Sequence, residues 1–589
     1  MHNSKFIIFL LFALTSISVN ASKAVRYFRD ITLNDGRIVS ATLVGDENLH
    51  FYRSRSGEII LFNSEGNYYH AASKEQLDSI NALAEQRQAQ ASENRAKMMR
   101  SSITADGITT NGHLSGYRLF PCKGTPKVLV LMVEFSDVSF TFGKDDFEKF
   151  LNSEEMTTNV SVNGIVAKSQ GSVAEYFRAC SGGKFSPQFD IYGTFKVNNT
   201  AAYYSSHESA FIKDACAAAE NDVDFTQYDQ DGDGHVDLVY IIYAGYGAAW
   251  GVKNVIWPKV TYTTGSYCTV DGKKVHRAGM SNELNFSPEI YEELKINPLI
   301  AGIGVFAHEF CHAMGIADLY ATSDKVWADS LYDNQSMEEW SLMDGGENRC
   351  NGCLPTPLNA FERYLFGWID DIQELTDSQK VTLTPLKDGG QAYKIPGNNE
   401  NEYWILEAIP NDQKWYYRFK DYTGTGMVVT HINTCIKSFS VGSMPNGTAG
   451  NPGITILPAD GRLIGYFNYS IDEDTYANSL LGDPFPGSQG VTQLTDYWAK
   501  DGTINKPIYN IVQNADYSIG FNFMYLRGDA NGDGEVGMAD VMYIVNYTLG
   551  TSAPYFKTRE ADTNNDGIIN MTDAMYIVSY ILNGKFPKE

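Results

Sequence analysis

Residues 301–315, AGIGVFAHEFCHAMG, constrain this chain more than any other stretch. The run AGIGVFA is apolar enough for a buried helix, and the pattern predicts one over 299–314. Two imidazoles four residues apart share a helix face, so His308 and His312 can reach one metal ion. Among the ten His of the chain no other pair has that spacing. Glu309, beside the first His, lies where a carboxylate can take a proton from a metal-activated water. Gly315 can adopt a left-handed conformation and end the helix. The chain can then swing back and offer Asp318 as a third ligand. H-E-x-x-H alone is moderately specific, and this context raises it.

The extended pattern H-E-x-x-H-x-x-G-x-x-D resembles the metzincin metalloproteases, where the usual third ligand is His and Asp is a minority variant. Trp340-Ser341-Leu342-Met343-Asp344 looks like the Met-turn beneath the zinc in that clan. Taken together, the chain resembles the immune inhibitor A type of secreted bacterial metalloprotease. KVLVLMVEFSD near 130, YDQDGDGHVD near 233, GMVVTHIN near 430 and GDPFPG near 484 support this, and the resemblance covers residues 115 to 525. It implies Zn2+ held by His308, His312 and Asp318, with Glu309 as general base in peptide hydrolysis. It also implies Met343 as a non-ligating support, with Tyr320 placed to help stabilise the oxyanion or simply to pack. A rival geometry takes the third ligand from Glu338 or Glu339. His431, in an apolar β context, reads as a core residue.

At 589 residues the chain predicts three or four domains. A net charge of −25 argues against nucleic-acid binding, which wants a basic patch. His2 and Lys5, the apolar run Phe6 to Leu14 and Val19-Asn20-Ala21 read as a secretory signal over 1–21. That run is shorter than the ~20 residues a membrane span needs, and no other segment reads as a transmembrane helix. The expected location is extracellular or at a cell surface, held there by the C-terminal module described below. Eight Cys do not make a disulfide scaffold. Cys350 and Cys353 suggest a small disulfide loop, and Cys311 a buried free thiol.

Residues 22–112 read as a propeptide-like region. Alternating runs on either side of Asn34-Asp35-Gly36 predict an antiparallel sheet, and 74–100 a polar helix. A Ser/Thr/Gly linker follows, with Arg95 and Arg100 as candidate activation points. A permanent N-terminal domain is the other reading. Met98, Met99 and Cys122 are candidate sulfur ligands for latency. Residues 113–374 read as an α/β (α+β) metzincin-like catalytic domain, with strands at Lys127 to Phe135 and Val236 to Ala244 and a helix at Ser172 to Cys180. Residues 375–526 read as a β-rich domain completing the core or packing on it.

Two acidic-loop motifs remain. In the catalytic region, Asp229, Asp231, Asp233 and Asp237 alternate around Gly234, with His235 between them, and read as a structural calcium site. In 527–589, GDANGDGEVGMADVMYIVNYTLG repeats as ADTNNDGIINMTDAMYIVSYILNG at an offset of 33. Asp529, Asn531, Asp533, Glu535 and Asp540 occupy positions 1, 3, 5, 7 and 12 of a calcium loop. Asp562, Asn564, Asp566, Ile568, Asn570 and Asp573 occupy 1, 3, 5, 7, 9 and 12 of the second. Gly537 leaves position 9 of the first loop without a side-chain oxygen. A loop followed by one helix, duplicated, resembles a type I dockerin, a small α-helical module binding Ca2+. That resemblance implies a cohesin-bearing scaffold as partner.

The sequence thus predicts a secreted zinc endopeptidase acting on protein or peptide substrates, made as a zymogen and docked through its C-terminus. A calcium-dependent binding protein on a silent protease fold and a zinc carbohydrate-processing enzyme are the alternatives.

Overall fold

The computed structural model describes residues 19–83, 86, 108–154, 159–162, 165–168, 171–321, 337–411, 424–434, 438–448, 450–465, 470–500, 502–524 and 526–587. The expected leader core Phe6 to Leu14 lies outside the described residues, as do Arg95, Met98, Met99 and Arg100.

The region expected to be catalytic is built on a mixed sheet that has six strands when Val19–Ala21, the end of the expected leader, is counted. Its strands are Val19–Ala21 (β1), Lys127–Glu134 (β2), Gln188–Lys196 (β3), Val239–Tyr246 (β4), Lys259–Tyr262 (β5) and Arg277–Leu284 (β6), in the order β1-β5-β6-β4-β2-β3. β3, β2, β4 and β6 run parallel, while β5 and β1 are antiparallel additions at one edge. β2 from Val128 to Val133 and β4 from Val239 to Ala244 are buried runs without a charged residue because both of their faces are covered. Val128, Val130 and Met132 point into one core, and Leu129, Leu131 and Val133 into the other, the period of two that a strand imposes.

The helix Ile303–Met314 crosses the first of these faces, with eleven of its twelve residues buried. Phe306 stacks on Tyr240 at 3.9 Å, and Phe310 packs against Phe120, Phe177 and Phe189. The helix begins at Ile303, with Gly302 as its N-cap, rather than at about 299. The expected helix at Ser172 to Cys180 is present as Val173–Cys180, capped by the Ser172 hydroxyl.

The single strand expected over Val236 to Ala244 is two elements. His235–Val236 pairs with Lys273–Val275 in a separate small sheet, and β4 starts at Val239. The break falls at Asp237, whose Oδ2 turns back to accept from the Gln230 backbone N–H at 3.2 Å and its amide at 2.7 Å.

Between Gln373 and Phe523 the described residues form two β-sheets of five and three strands, with one α-helix, Glu473–Gly482. Ile405, Ile409, Val428 and Ile432 share a core with Phe306 and Phe310, while Leu383, Trp404, Met427 and Phe521 belong to a second core within this region.

The N-terminal region is a five-stranded antiparallel meander from Arg29 to Ala71, as its alternation predicted. Its apolar face shares a cluster with Ala249, Trp257, Tyr476 and Leu480. The hairpin Ile108–Asn111/Leu114–Tyr117 straddles the expected boundary at 112/113. Asn111 donates to the carbonyls of Phe120 (2.7 Å) and Met314 (2.8 Å), tying it to the end of the central helix.

In the last segment the helices Met538–Thr548 and Met571–Asn583 pack through Val541, Ile544, Ala574 and Ile577. The repeated Met-Tyr-Ile-Val splits by position: Ile544 and Ile577 are buried, Met542 and Met575 exposed. Cys122, Cys180, Cys216, Cys268, Cys311 and Cys353 are free thiols. The expected disulfide between Cys350 and Cys353 is instead a turn closed by the Cys353 N–H on the Cys350 carbonyl at 3.2 Å. Cys311 is buried, as expected.

Gly304 marks a close approach that the helix cannot do without. A Cβ there would lie 1.9 Å from the Glu347 carbonyl oxygen. Alanine favours a helix over glycine by ~1 kcal/mol, but forced overpacking costs ~1–3 kcal/mol or more. Gly304→Ala is therefore expected to lower the thermal unfolding midpoint by several degrees. An unchanged or raised midpoint in a melting curve would count against this packing.

Candidate active site

The local sequence around the helix sets the site. Gly315 ends the helix at φ +115°, its N–H donating to the Cys311 and His312 carbonyls. Next, Ala317 N–H donates to Phe439 O at 2.9 Å and Leu319 N–H to Met343 O at 2.8 Å. Asp318 is thus fixed between the β-rich region and the Met343 turn. Met343 itself is buried, and its N–H donates to Ser341 Oγ.

His308 Nδ1 lies 2.9 Å from the Leu342 carbonyl oxygen, and His312 Nδ1 2.8 Å from that of Ile316. A carbonyl only accepts, so each Nδ1 carries the proton and each Nε2 is left with its lone pair. The two Nε2 atoms are 3.1 Å apart. Asp318 Oδ1 lies 3.2 Å from His308 Nε2 and 3.1 Å from His312 Nε2. Three electron-rich atoms converging at this spacing repel one another unless a cation sits among them. Tetrahedral zinc, at ~2.0–2.2 Å from each ligand, calls for ligand atoms about this far apart. The donor set therefore fits that ion. Among the described residues these three form such a cluster, and Glu338 and Glu339, the rival third ligands, are not part of it. Burial works against the Asp318 carboxylate, but His312 and His308 outweigh it and hold its pKa at about 2.

Glu309 is fully buried. Burial pushes its carboxyl well above the usual carboxylate range, with Glu347 and Asp318 adding to the effect. Its Oε1 accepts from the backbone N–H of Ser22 at 2.6 Å. This contact spans 287 residues, and it is one of several. β1 pairs antiparallel with β5 in the register Ala21 to Lys259. Trp257 Nε1 donates to Ser22 O at 2.8 Å, Lys23 N–H donates to Glu347 Oε1 at 3.2 Å, and the Lys23 ammonium pairs with Asp344. The first residues beyond the expected leader thus run across the site. Tyr320 is buried beside them, with Lys23 Nζ 5.7 Å from its ring centroid. Burial pushes the Tyr320 phenol well up, Asp318 adding to it.

Glu347 was not singled out by its sequence context. It lies in the short turn Gly345–Asn348, fully buried, with Oε2 3.5 Å from His308 Nδ1. Cys122 is away from this chemistry in its contacts: its thiol donates to Phe366 O at 3.3 Å. His431 is a core residue, with Nε2 2.8 Å from Glu402 Oε1 and its ring stacked on Trp404.

The acidic loop of the catalytic region brings Asp229, Asp231 and Asp233 together, and Asp237 stays outside that cluster. His235 N–H donates to Asp233 Oδ1 at 2.9 Å. Two basic residues that the sequence did not bring to notice also face the loop: Lys273 Nζ lies 2.5 Å from Asp229 Oδ2, and Arg118 pairs with Asp233. Burial raises the Asp237 pKa to about 6, with Asp231 and Asp229 contributing.

Of the two C-terminal loops, the first gathers Asp529, Asp533 and Asp540 closely, and the second is more open. Both share one pattern. Gly534 and Gly567 take positive φ and donate to Oδ2 of Asp529 and Asp562. Asp540 accepts from Asn531 N–H, and Asp573 from Asn564 N–H. Glu535 and Ile568 N–H donate to Asp533 and Asp566. Asn570 caps the second helix through Thr572 N–H.

With this geometry in view, likeness to known proteins sorts the chain into two parts. Residues 121–367 match the immune inhibitor A peptidase M6 catalytic domain, and residues 527–582 the dockerin type I domain. The chain therefore carries an M6-type peptidase catalytic domain and a type I dockerin. It is similar to Immune inhibitor A of Bacillus thuringiensis subsp. alesti, 26% identical over 296 residues, covering 41% of this chain and 39% of that protein. It is also similar to the pre-pro-metalloprotease PrtV of Vibrio cholerae serotype O1, 23% identical over 281 residues, covering 41% of this chain and 29% of that protein. The chain thus spans well under half the length of these curated relatives. Among the described residues no helix is long and apolar enough to cross a membrane.

Proposed function

We propose that this chain is a secreted zinc endopeptidase, made as a zymogen and attached by its dockerin to a cohesin-bearing scaffold. The observation that carries the reading is the convergence of His308 Nε2, His312 Nε2 and Asp318 Oδ1 at 3.1–3.2 Å beside a buried Glu309.

Zinc held by these three side chains would supply Lewis acidity toward a peptide carbonyl and a water. The remaining work falls to the chain. Leu342 and Ile316 carbonyls fix both imidazole tautomers, and the Met343 turn fixes Asp318. Glu309 takes a proton from the attacking water and returns it to the leaving nitrogen. Its Oε1 already rests 2.6 Å from a peptide nitrogen, that of Ser22. Tyr320, kept protonated by burial, is the candidate donor to the carbonyl oxygen.

Zymogen latency follows from occupancy. Ser22 and Lys23 fill the cleft, and the N-terminal sheet packs over its rim, so substrate cannot enter until this region leaves. Leader removal after Ala21 would leave Ser22 as the first residue, still against Glu309. This account needs no sulfur ligand.

The acidic loops take Ca2+: Asp229, Asp231 and Asp233 beside the sheet, and the paired loops in the dockerin. A ligand at 100 times its Kd stabilises a fold by ~2.7 kcal/mol. Stripping calcium is therefore expected to speed amide exchange at Ile544 and Ile577 about 100-fold; unchanged exchange would count against calcium in the dockerin.

The peptidase reading is tested by casein hydrolysis with the secreted chain, nicked in the linker and freed of its N-terminal region, calcium present throughout. Activity lost to a zinc chelator and restored by zinc supports it. Inactivity with zinc bound and the N-terminal region removed would turn the reading toward a binding protein on a silent fold.

A further inference from the structure

The segment Ala21-Ser22-Lys23 lies in the cleft in the pose of a substrate. β1 adds antiparallel to the edge strand β5, and Glu309 Oε1 sits on the nitrogen of the Ala21–Ser22 bond. Ser22 and Lys23 therefore occupy the positions of the first and second residues on the leaving side of a cleaved bond. The Lys23 side chain is 2% exposed, and its ammonium pairs with Oδ1 of Asp344, which is fully buried. The other oxygen, Asp344 Oδ2, accepts from the backbone N–H groups of Met337 and Glu338, both at 2.9 Å. Those two bonds come from the backbone that leads into the Met343 turn and not from Lys23, so they hold the carboxylate with Oδ1 aimed at the cleft whatever fills it. The Tyr320 ring flanks the ammonium, and Glu347 Oε1 takes the Lys23 N–H.

We propose that Asp344 is a specificity-determining residue: it forms an acidic subsite for a lysine side chain two residues after the scissile bond. The substrates so selected are polypeptides carrying lysine at that position. A sheltered carboxylate with one oxygen pre-oriented attracts a matching cation strongly. A neutral side chain in the same place would bury that charge uncompensated, and an acidic one would add repulsion. Lys23 fills this subsite as long as the N-terminal region stays in place, with or without the leader, so that region presents the side chain the subsite selects.

The proposal rests on the peptidase reading for its meaning, and two readouts keep them apart. The first is binding. The activated, zinc- and calcium-loaded enzyme is titrated with labelled Ser-Lys-Ala-Val-Arg-Tyr and with analogues bearing norleucine or glutamate in place of lysine. The lysine peptide is expected to bind about 10-fold tighter than the norleucine peptide, and the glutamate peptide weakest. In Asp344→Asn the lysine and norleucine peptides should fall within about 2-fold of each other. Should that variant fail to fold, the wild-type series decides alone. Equal binding of lysine and norleucine peptides would overturn the subsite. The second readout is the cleavage-site profile in casein, where lysine should be enriched at the second position after the cut. Cleavage without that enrichment removes the subsite and leaves the peptidase standing. Peptide preference without any casein cleavage keeps the subsite and removes the peptidase reading.

Discussion

Glu309→Ala is expected to lower casein hydrolysis by the activated chain about 1,000-fold while zinc remains bound at one equivalent. General acid–base catalysis contributes roughly 10²–10⁴-fold, and in the proposed mechanism Glu309 serves both the attacking water and the leaving nitrogen, so the upper half of that range applies. Zinc retention follows because none of the three converging atoms depends on Glu309: the imidazoles are aligned by Leu342 and Ile316, and Asp318 by Phe439 and Met343. Nor should the fold suffer. Glu309 is a fully buried carboxyl whose Oε2 has no hydrogen-bond partner among the described residues, so its removal relieves a desolvated polar group. The melting temperature should hold or rise. The informative combination is therefore lost hydrolysis with unchanged metal content and no loss of stability. Full activity in the variant would mean that another group moves the proton, and Glu347, buried close by, would be examined next.

What the sequence made legible was local. His308, Glu309, His312, Gly315 and Asp318 fall within eleven residues, and helix periodicity plus one left-handed glycine suffice to bring their side chains to one point. The alternating strands of the sheet and the duplicated acidic loops are likewise short-range patterns. The helix start was misplaced because an apolar run looks the same before and after Gly302. The broken strand at Asp237 was missed because the decision lies with Gln230, seven residues away, and with a second sheet reached through Lys273–Val275. Other features were out of reach in principle. Glu347 comes to His308, Lys23 to Asp344, and Lys273 and Arg118 to the acidic loop only after the sheet and its crossings have formed. A single sequence carries no periodicity for contacts between residues 287 or 321 positions apart. The converging side chains are thus written in one helix and its turn, while what covers them is written in the tertiary fold.

That cover leads to the second large effect. The secreted chain with its linker intact is expected to hydrolyse casein at under ~1% of the rate of the same chain after nicking and separation, since an intramolecular blocker acts at an effective concentration in the millimolar range or above. The blocker is held at many points. Val25 N–H donates to Ala249 O at 2.9 Å, Arg29 donates to Trp250 O at 2.6 Å, and Tyr27 reaches Glu293. Arg26 and Arg55 both donate to Ile471 O, at 3.1 and 3.0 Å, and Lys253 sits over the rings of Phe62 and Tyr69. These contacts join the N-terminal sheet to both the catalytic region and the β-rich region, so cutting the linker alone does not release it. Nicked but unseparated chain should therefore stay slow, and activity should appear on dilution or on further digestion of the N-terminal region. Adding the separated region back should inhibit at a stoichiometry of one, competitively with casein, because Ser22 and Lys23 occupy the place of substrate. Equal rates for intact and separated chain would show that the N-terminal region is a permanent domain that yields to substrate. Slow hydrolysis relieved by nicking alone would place the restraint in the linker instead of the cleft.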